Sequence, residues 1–120
     1  MPNKKYDLEE RTAKFGEDII EFAKKTPKNV ITIPLIGQIV NSGTSVGSNY
    51  CEADCAESRK DFEHKLGICK KEAKETKHHL RMIAKAVPEL KSEARKLWQE
   101  ANELQLIFIS IVKKSRANKN

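Results

Sequence analysis

An all-α fold, an antiparallel up-down-up-down four-helix bundle, is what this chain predicts, on three observations. Apolar residues recur at three- and four-residue spacing in successive stretches. The prolines and this spacing cut the chain into four segments joined by short connections, the condition for antiparallel neighbours. A length of 120 residues supports one domain with a core large enough to fold without disulfides. The chain is therefore read as a single domain over 1–120, with helices over about 7–25, 34–56, 58–86 and 89–114 and a basic tail over 115–120.

The first helix places Leu8, Thr12, Phe15, Ile19, Phe22 and Ala23 on one stripe, with Asp7 and Glu10 as a capping box. It stops before Pro27, whose ring disfavours helical geometry at Thr26. Pro34 suits the first turn of the second helix. On that helix Ile36, Ile39, Val40, Gly43, Gly47, Tyr50 and Cys51 share an arc of about 120°, opposite Asn41, Ser45, Ser48, Asn49 and Glu52. An interior glycine costs roughly 1 kcal/mol relative to alanine, so Gly43 and Gly47 on an apolar stripe mark the close approach of another backbone.

The stretch NSGTSVGSNYCEADCAESRKDF, residues 41–62, invites two other readings that its chemistry does not support. A phosphate-binding loop of the Walker type ends in Gly-Lys-Ser/Thr, and no lysine precedes Lys60 here. A zinc site would start from Cys51 and Cys55, with Cys69 or His64 to complete it, but no second Cys/His pair follows at a characteristic distance. Cys51, Cys55 and Cys69 are read as packing groups, and neither a metal nor another cofactor is expected.

A break near Glu57 divides what would otherwise be one very long helix, and Ser58 with Asp61 supplies the next cap. The third helix then runs to the Val87-Pro88 pair. Phe62, Leu66, Cys69, Ala73, Thr76, Leu80, Ile83 and Ala84 occupy an arc of about 100°. A separate arc of about 120° carries Arg59, Lys60, Lys70, Lys71, Lys74, Lys77, His78, Arg81 and Lys85, interrupted mainly by Glu63. The bland account of that arc is a solvated lysine-rich face; the functional account is a polyanion-binding surface. The fourth helix sets Leu90, Ala94, Leu97, Ala101, Leu104, Phe108 and Ile111 on one side, yet LQLIFISIV within it is apolar almost all round. A helix with more than one apolar face buries more than one, so Leu106, Ile107 and Ile109 are expected at a subunit contact. The last residues, KKSRANKN, are expected to fray.

Lys and Arg outnumber Asp and Glu by 23 to 17, a net charge of +6 that favours polyanionic partners. No signal peptide is recognisable and three cysteines cannot all pair within one chain, which points to a cytoplasmic protein with reduced thiols. The longest apolar run, Leu104 to Val112, is roughly half of the ~20 residues a spanning helix needs, so no membrane association is expected.

SGTSVGSNYCEA followed by AESRKDFEHKLGICKKEAKET resembles the signature of the four-helix-bundle family encoded by intervening sequences of bacterial large-subunit ribosomal RNA genes. The similarity runs from Tyr6 into the fourth helix and departs from the usual pattern at His79, where an aromatic residue is common, and at the cysteines. The resemblance implies a cytosolic homopentamer of a family with no established enzymatic activity. It also implies kinship with the accessory protein of diversity-generating retroelements, whose basic pentamer binds nucleic acid and a reverse transcriptase.

Catalysis has little support in the residues themselves. Glu75 and His78 match half of a di-iron ligand motif that needs a twin pair and two further glutamates, all pointing inward. His64, His78 and His79 lie off the cysteine stripe, so no activated thiol is marked and no enzyme is expected. Two functions compete. One is an oligomeric protein that binds RNA or DNA phosphates through Arg59, Lys60, Lys70, Lys71, Lys74, Lys77 and Arg81 without reading sequence, since few aromatics are available to stack bases. The other is a protein scaffold or accessory subunit, for example of a reverse transcriptase, in which the same charges meet an acidic protein surface.

Overall fold

A computed structural model describes residues 7–118, and every regular element among them is helical. Helix α1 spans Leu8–Lys25, α2 Thr32–Asp54, α3 Arg59–Ala86 and α4 Lys91–Ala117; a 3₁₀ turn at Pro88–Leu90 leads into α4. Consecutive helices pack on one another through short turns, and α1 meets α4 more sparingly, giving the four-helix bundle. The 28 residues of α3 make a rod of roughly 42 Å at 1.5 Å per residue, which accounts for most of the 52 Å long axis.

Each helix buries a stripe with alternating steps of three and four. Leu66, Cys69, Ala73, Thr76, Leu80 and Ile83 of α3 are all sealed from solvent, as are Leu8, Thr12, Phe15, Ile19 and Phe22 of α1. A mean spacing of 3.5 keeps such a stripe facing its partners along helices of this length. Phe15, Phe22 and Phe108 share one buried cluster with Ala73, Ala94 and Ala101, and the Phe108 ring lies 6.5 Å from that of Tyr50.

Capping sets the starts. Asp7 accepts from the Glu10 amide at 3.3 Å and Ser58 from the Asp61 amide at 3.0 Å, as the sequence predicts. Helix α2 begins two residues before Pro34, because the Asn29 carboxamide accepts from the amides of Ile31 and Thr32 while Thr32 Oγ1 accepts from the Asn29 amide. Pro34 still falls within the first turn, where its missing N–H has no partner to lose. Helix α4 continues past Lys114 to Ala117, further than the frayed basic tail expected there. Glu63, whose side chain is only 15% exposed, accepts from Ser115 Oγ at 2.6 Å and pairs with Arg116, and Arg59 donates to the Asn118 carbonyl. Positions 119 and 120 of the expected tail lie outside the described residues, as do 1–6 of the domain.

The buried face of α2 is rotated from the expected stripe. Ser42, Val46 and Ala53 are buried, whereas Cys51 is exposed. The cause is a second neighbour: α2 lies between α1 and α3 and must bury two adjacent sides. Toward α3, Thr76 Oγ1 donates to the Glu72 carbonyl and lies 2.9 Å from Ser42 Oγ, so two buried hydroxyls satisfy each other. Toward α1, the glycines provide the close approach that their cost implied. A Cβ on Gly43 would stand 2.8 Å from Ile19 Cγ2, and one on Gly47 would stand 3.4 Å from the Thr12 carbonyl.

Gly43→Ala is expected to destabilise the fold by about 1–2 kcal/mol, overpacking against Ile19 outweighing the gain in helix propensity. Gly67→Ala, where nothing lies within 4 Å of the added methyl, is expected to stabilise by about 0.5–1 kcal/mol. Urea unfolding of both variants at one protein concentration checks the pair, and a stabilised Gly43→Ala would contradict the close approach.

Candidate nucleic-acid interface

Because the apolar stripe of α3 is sealed against α2 and α4, its charged positions are forced to the opposite side. The helix carries nine basic residues against four acidic ones, a surplus of five in a chain whose total is +6. Helix α4 adds six basic residues against three acidic ones, while α1 and α2 carry acidic surpluses, so the positive charge is concentrated on α3 and, to a lesser degree, on α4. Lys60, Lys70, Lys74 and Arg81 are exposed and have no ion-pair partner among the described residues. Lys71 is exposed and stands 3.7 Å from Glu72, a loose contact. Arg59, also exposed, is engaged with the end of α4 through the Asn118 carbonyl.

Lys77 differs from the rest of the arc. Its ammonium donates to Asn102 Oδ1 at 2.8 Å and lies 4.7 Å from the centre of the Trp98 ring. It is half-buried and committed to α4. Glu63, which interrupts the arc on the helical wheel, is likewise turned to α4 by Ser115 and Arg116.

Sequence reasoning passed over Trp98. The ring is 39% exposed and forms the wall of a groove between α3 and α4 that Leu80, Ala84, Ala94 and Gln99 also line. Arg81, Lys91 and Arg95 rim it, with no carboxylate among the lining residues. The available signal was Lys91, Arg95 and Trp98 at spacings of four and three on one helix face. The groove between α1 and α4 has the opposite character, since Asp7, Glu10, Asp18 and Glu100 line it beside Arg11, Lys14 and Lys96. There the Arg11 guanidinium grips Glu100 with two hydrogen bonds of 2.8 and 2.9 Å and Glu103 with a third. Its pKa is held above the ordinary value, first by the Glu100 bonds.

Of the residues expected at a subunit contact, Leu106 is 57% exposed and Ile109 half-buried, while Ile107 is half-buried and packs on the core. A second exposed apolar group comprises Val30, Ile31 and Ile33 at the turn into α2, just before the start expected for the second helix.

The three cysteines separate. Cys69 is in the core, its thiol donating weakly to the Val46 carbonyl at 3.6 Å, and burial pushes its pKa up to about 12. Cys51 and Cys55 are exposed near the end of α2, so the expectation that all three are packing groups holds for Cys69 alone. Glu75 and His78 are on the surface, and among the described residues no group of three or more His, Cys, Asp and Glu is placed to hold a metal ion. His79 lines a shallow hollow with Gln38, Asn41 and Ser42; its Nδ1 is buried without a partner among the described residues. Burial, reinforced by His78, lowers the His79 pKa. No described helix is long and apolar enough to cross a membrane.

The described residues thus form an all-helical four-helix bundle whose largest basic surplus lies on α3. The chain belongs to the 23S rRNA-intervening sequence protein family, whose model matches residues 4–110. It is also similar to a crystal structure of a protein with unknown function from the S23 ribosomal protein family of Bacteroides thetaiotaomicron VPI-5482. The two share 30% identity over 88% of this chain and 98% of that one, with a TM-score of 0.79. No curated protein matches the chain.

With a thiol-reactive dye at mildly alkaline pH, Cys51 and Cys55 are expected to react in the folded protein and Cys69 only after denaturant is added. Three thiols reacting at one rate in the native state would refute the placement of Cys69.

Proposed function

We propose that this protein is a non-enzymatic, oligomeric, cytoplasmic module that binds RNA or DNA along the phosphate backbone through the exposed face of α3, without reading sequence. The observation that carries this reading is the charge surplus of α3, displayed by exposed cations without ion-pair partners among the described residues. From Lys60 to Arg81 the face extends over roughly 32 Å at helical rise, long enough to track several successive phosphates. Membership of a family described by a 23S rRNA-intervening sequence is consistent with an RNA-linked role. Leu106 and Ile109 support assembly, with five copies as the number implied by the family resemblance. A scaffold or accessory role toward a protein, such as a reverse transcriptase, is the second reading. Val30, Ile31 and Ile33 favour it, exposed at 87%, 63% and 58%, because phosphate contacts give no reason for an apolar corner.

Binding is expected to weaken with salt at a log-log slope near −0.9 per phosphate contact on duplex DNA and about −0.7 on single strands. Lys70→Glu combined with Lys74→Glu is expected to weaken binding to all sequences alike and flatten that slope, with helicity unchanged. Fluorescence anisotropy at several salt concentrations measures both effects; a double variant binding as tightly as its parent would hand the face to the scaffold reading.

Light scattering at micromolar concentration is expected to return a multiple of the 13.7 kDa chain mass, and Leu106→Glu to reduce it. A monomeric parent would remove the assembly from the proposal.

A further inference from the structure

We infer that the groove between α3 and α4 is a stacking site for one unpaired nucleotide, with the base on Trp98 and the flanking phosphates on Arg81, Lys91 and Arg95. The inference rests on the reading of α3 as a nucleic-acid surface and assigns it a preferred form, single-stranded over duplex. Three features define the occupant. The groove, of about 380 Å³, has an apolar floor of Leu80, Ala84 and Ala94 and an aromatic wall, which suit a flat heterocycle. Its charged lining is three cations and no carboxylate, which suits an anion attached to that heterocycle. Lys77 approaches the indole from the side of Asn102, one helical turn beyond Trp98, whereas Ala94, Arg95 and Lys91 extend the groove in the other direction. The cation–π contact and the Asn102 hydrogen bond thus hold the ring while it remains 39% exposed, so little side-chain freedom is left to lose on binding.

Continuity with the basic face fixes the path. Lys70, Lys74, Lys77 and Arg81 follow one another at steps of three and four along α3, and Arg81 belongs both to that row and to the groove rim. A strand held by its phosphates along α3 arrives at the groove with a base within reach of Trp98. Bases in a duplex are stacked on their own neighbours and present only their edges, so a groove wall cannot stack on them. The α1–α4 groove, where four carboxylates face three cations, lacks the one-signed lining that would favour the same ligand.

Trp98 is the only tryptophan in the chain, so intrinsic fluorescence reports on this site alone. The probes are a short single-stranded homo-oligonucleotide, a blunt duplex of equal length and inorganic polyphosphate, each titrated by tryptophan fluorescence and, in parallel, by anisotropy of a dye-labelled strand. Saturable quenching by the single strand, absent with duplex and polyphosphate, is the expected result. Trp98→Ala is expected to weaken single-strand binding roughly five- to a hundredfold and leave duplex binding unchanged, with Trp98→Phe in between. Arg95→Glu, which keeps the ring, is expected to weaken both anisotropy and quenching together, guarding against a folding defect in the alanine variant. Anisotropy that shows strand binding without quenching, and a Trp98→Ala variant that binds as its parent does, would overturn the stacking site while leaving the α3 surface intact. Equal quenching by polyphosphate would reduce it to an anion site and overturn it. Quenching that depends on protein concentration alone would assign Trp98 to a contact between copies and overturn it too. Absence of binding to every nucleic acid would remove the underlying reading and this site with it.

Discussion

The sealed stripe of α3 is the constraint on which the rest of the molecule depends. Leu66, Cys69, Ala73, Thr76, Leu80 and Ile83 are buried on a helix that packs against both α2 and α4, so α3 is the shared wall of the bundle. Burying one large apolar side chain contributes about 1.5–3 kcal/mol, far more than any single surface charge can oppose. The helix is therefore oriented by its core, and its cations go where the core does not. The basic face requires no stabilising role of its own; it is the complement of the stripe.

The seams around α3 differ in how they are held. The α2–α3 seam is apolar with one hydroxyl pair, Ser42 and Thr76, whose hydrogen bonding removes the desolvation cost of burying them. The α1–α2 seam relies on close approach, with Gly43 under Ile19. The α1–α4 seam is the sparsest and is bridged by ions: Arg11 to Glu100 and Glu103, and Lys25 to Glu93 at 2.8 Å. Solvent screens exposed pairs of this kind, so the buried Phe15 and Phe22 hold α1 in place and the ions select its register. That mixture of signs contrasts with the α3–α4 groove, whose charged lining is cationic only.

Two residues alter the simple picture of a row of equivalent lysines. Lys77 has been drawn across to Trp98 and Asn102, and Glu63 has been drawn across to Ser115 and Arg116. The first withdraws a positive charge from the face and the second withdraws a negative one. An aromatic ring therefore stands at the edge of α3, so the α3 side presents a groove as well as a charged rod.

Periodicity, breaks and caps were legible in the sequence because they are local. The 3.5 spacing of the four stripes, the stops at Pro27 and Pro88, and the Asp7 and Ser58 caps depend on residues within a turn or two of one another. The charge surplus of α3 was legible for the same reason, as was the cost of Gly43, which announced a neighbour without naming Ile19. What remained hidden involves two helices at once. A helical wheel gives each residue one angle, but α2 is buried by two neighbours, which put Val46 and Ser42 inside and left Cys51 outside. Likewise, no property of the α4 sequence states that Ser115 meets Glu63 and keeps the last turn wound, or that Trp98 meets Lys77 beside an open groove. The sequence by itself determined which faces are apolar and which are charged; the tertiary structure decided which charges stay free, because pairing across helices depends on register between segments far apart in the chain, and no local pattern encodes that register.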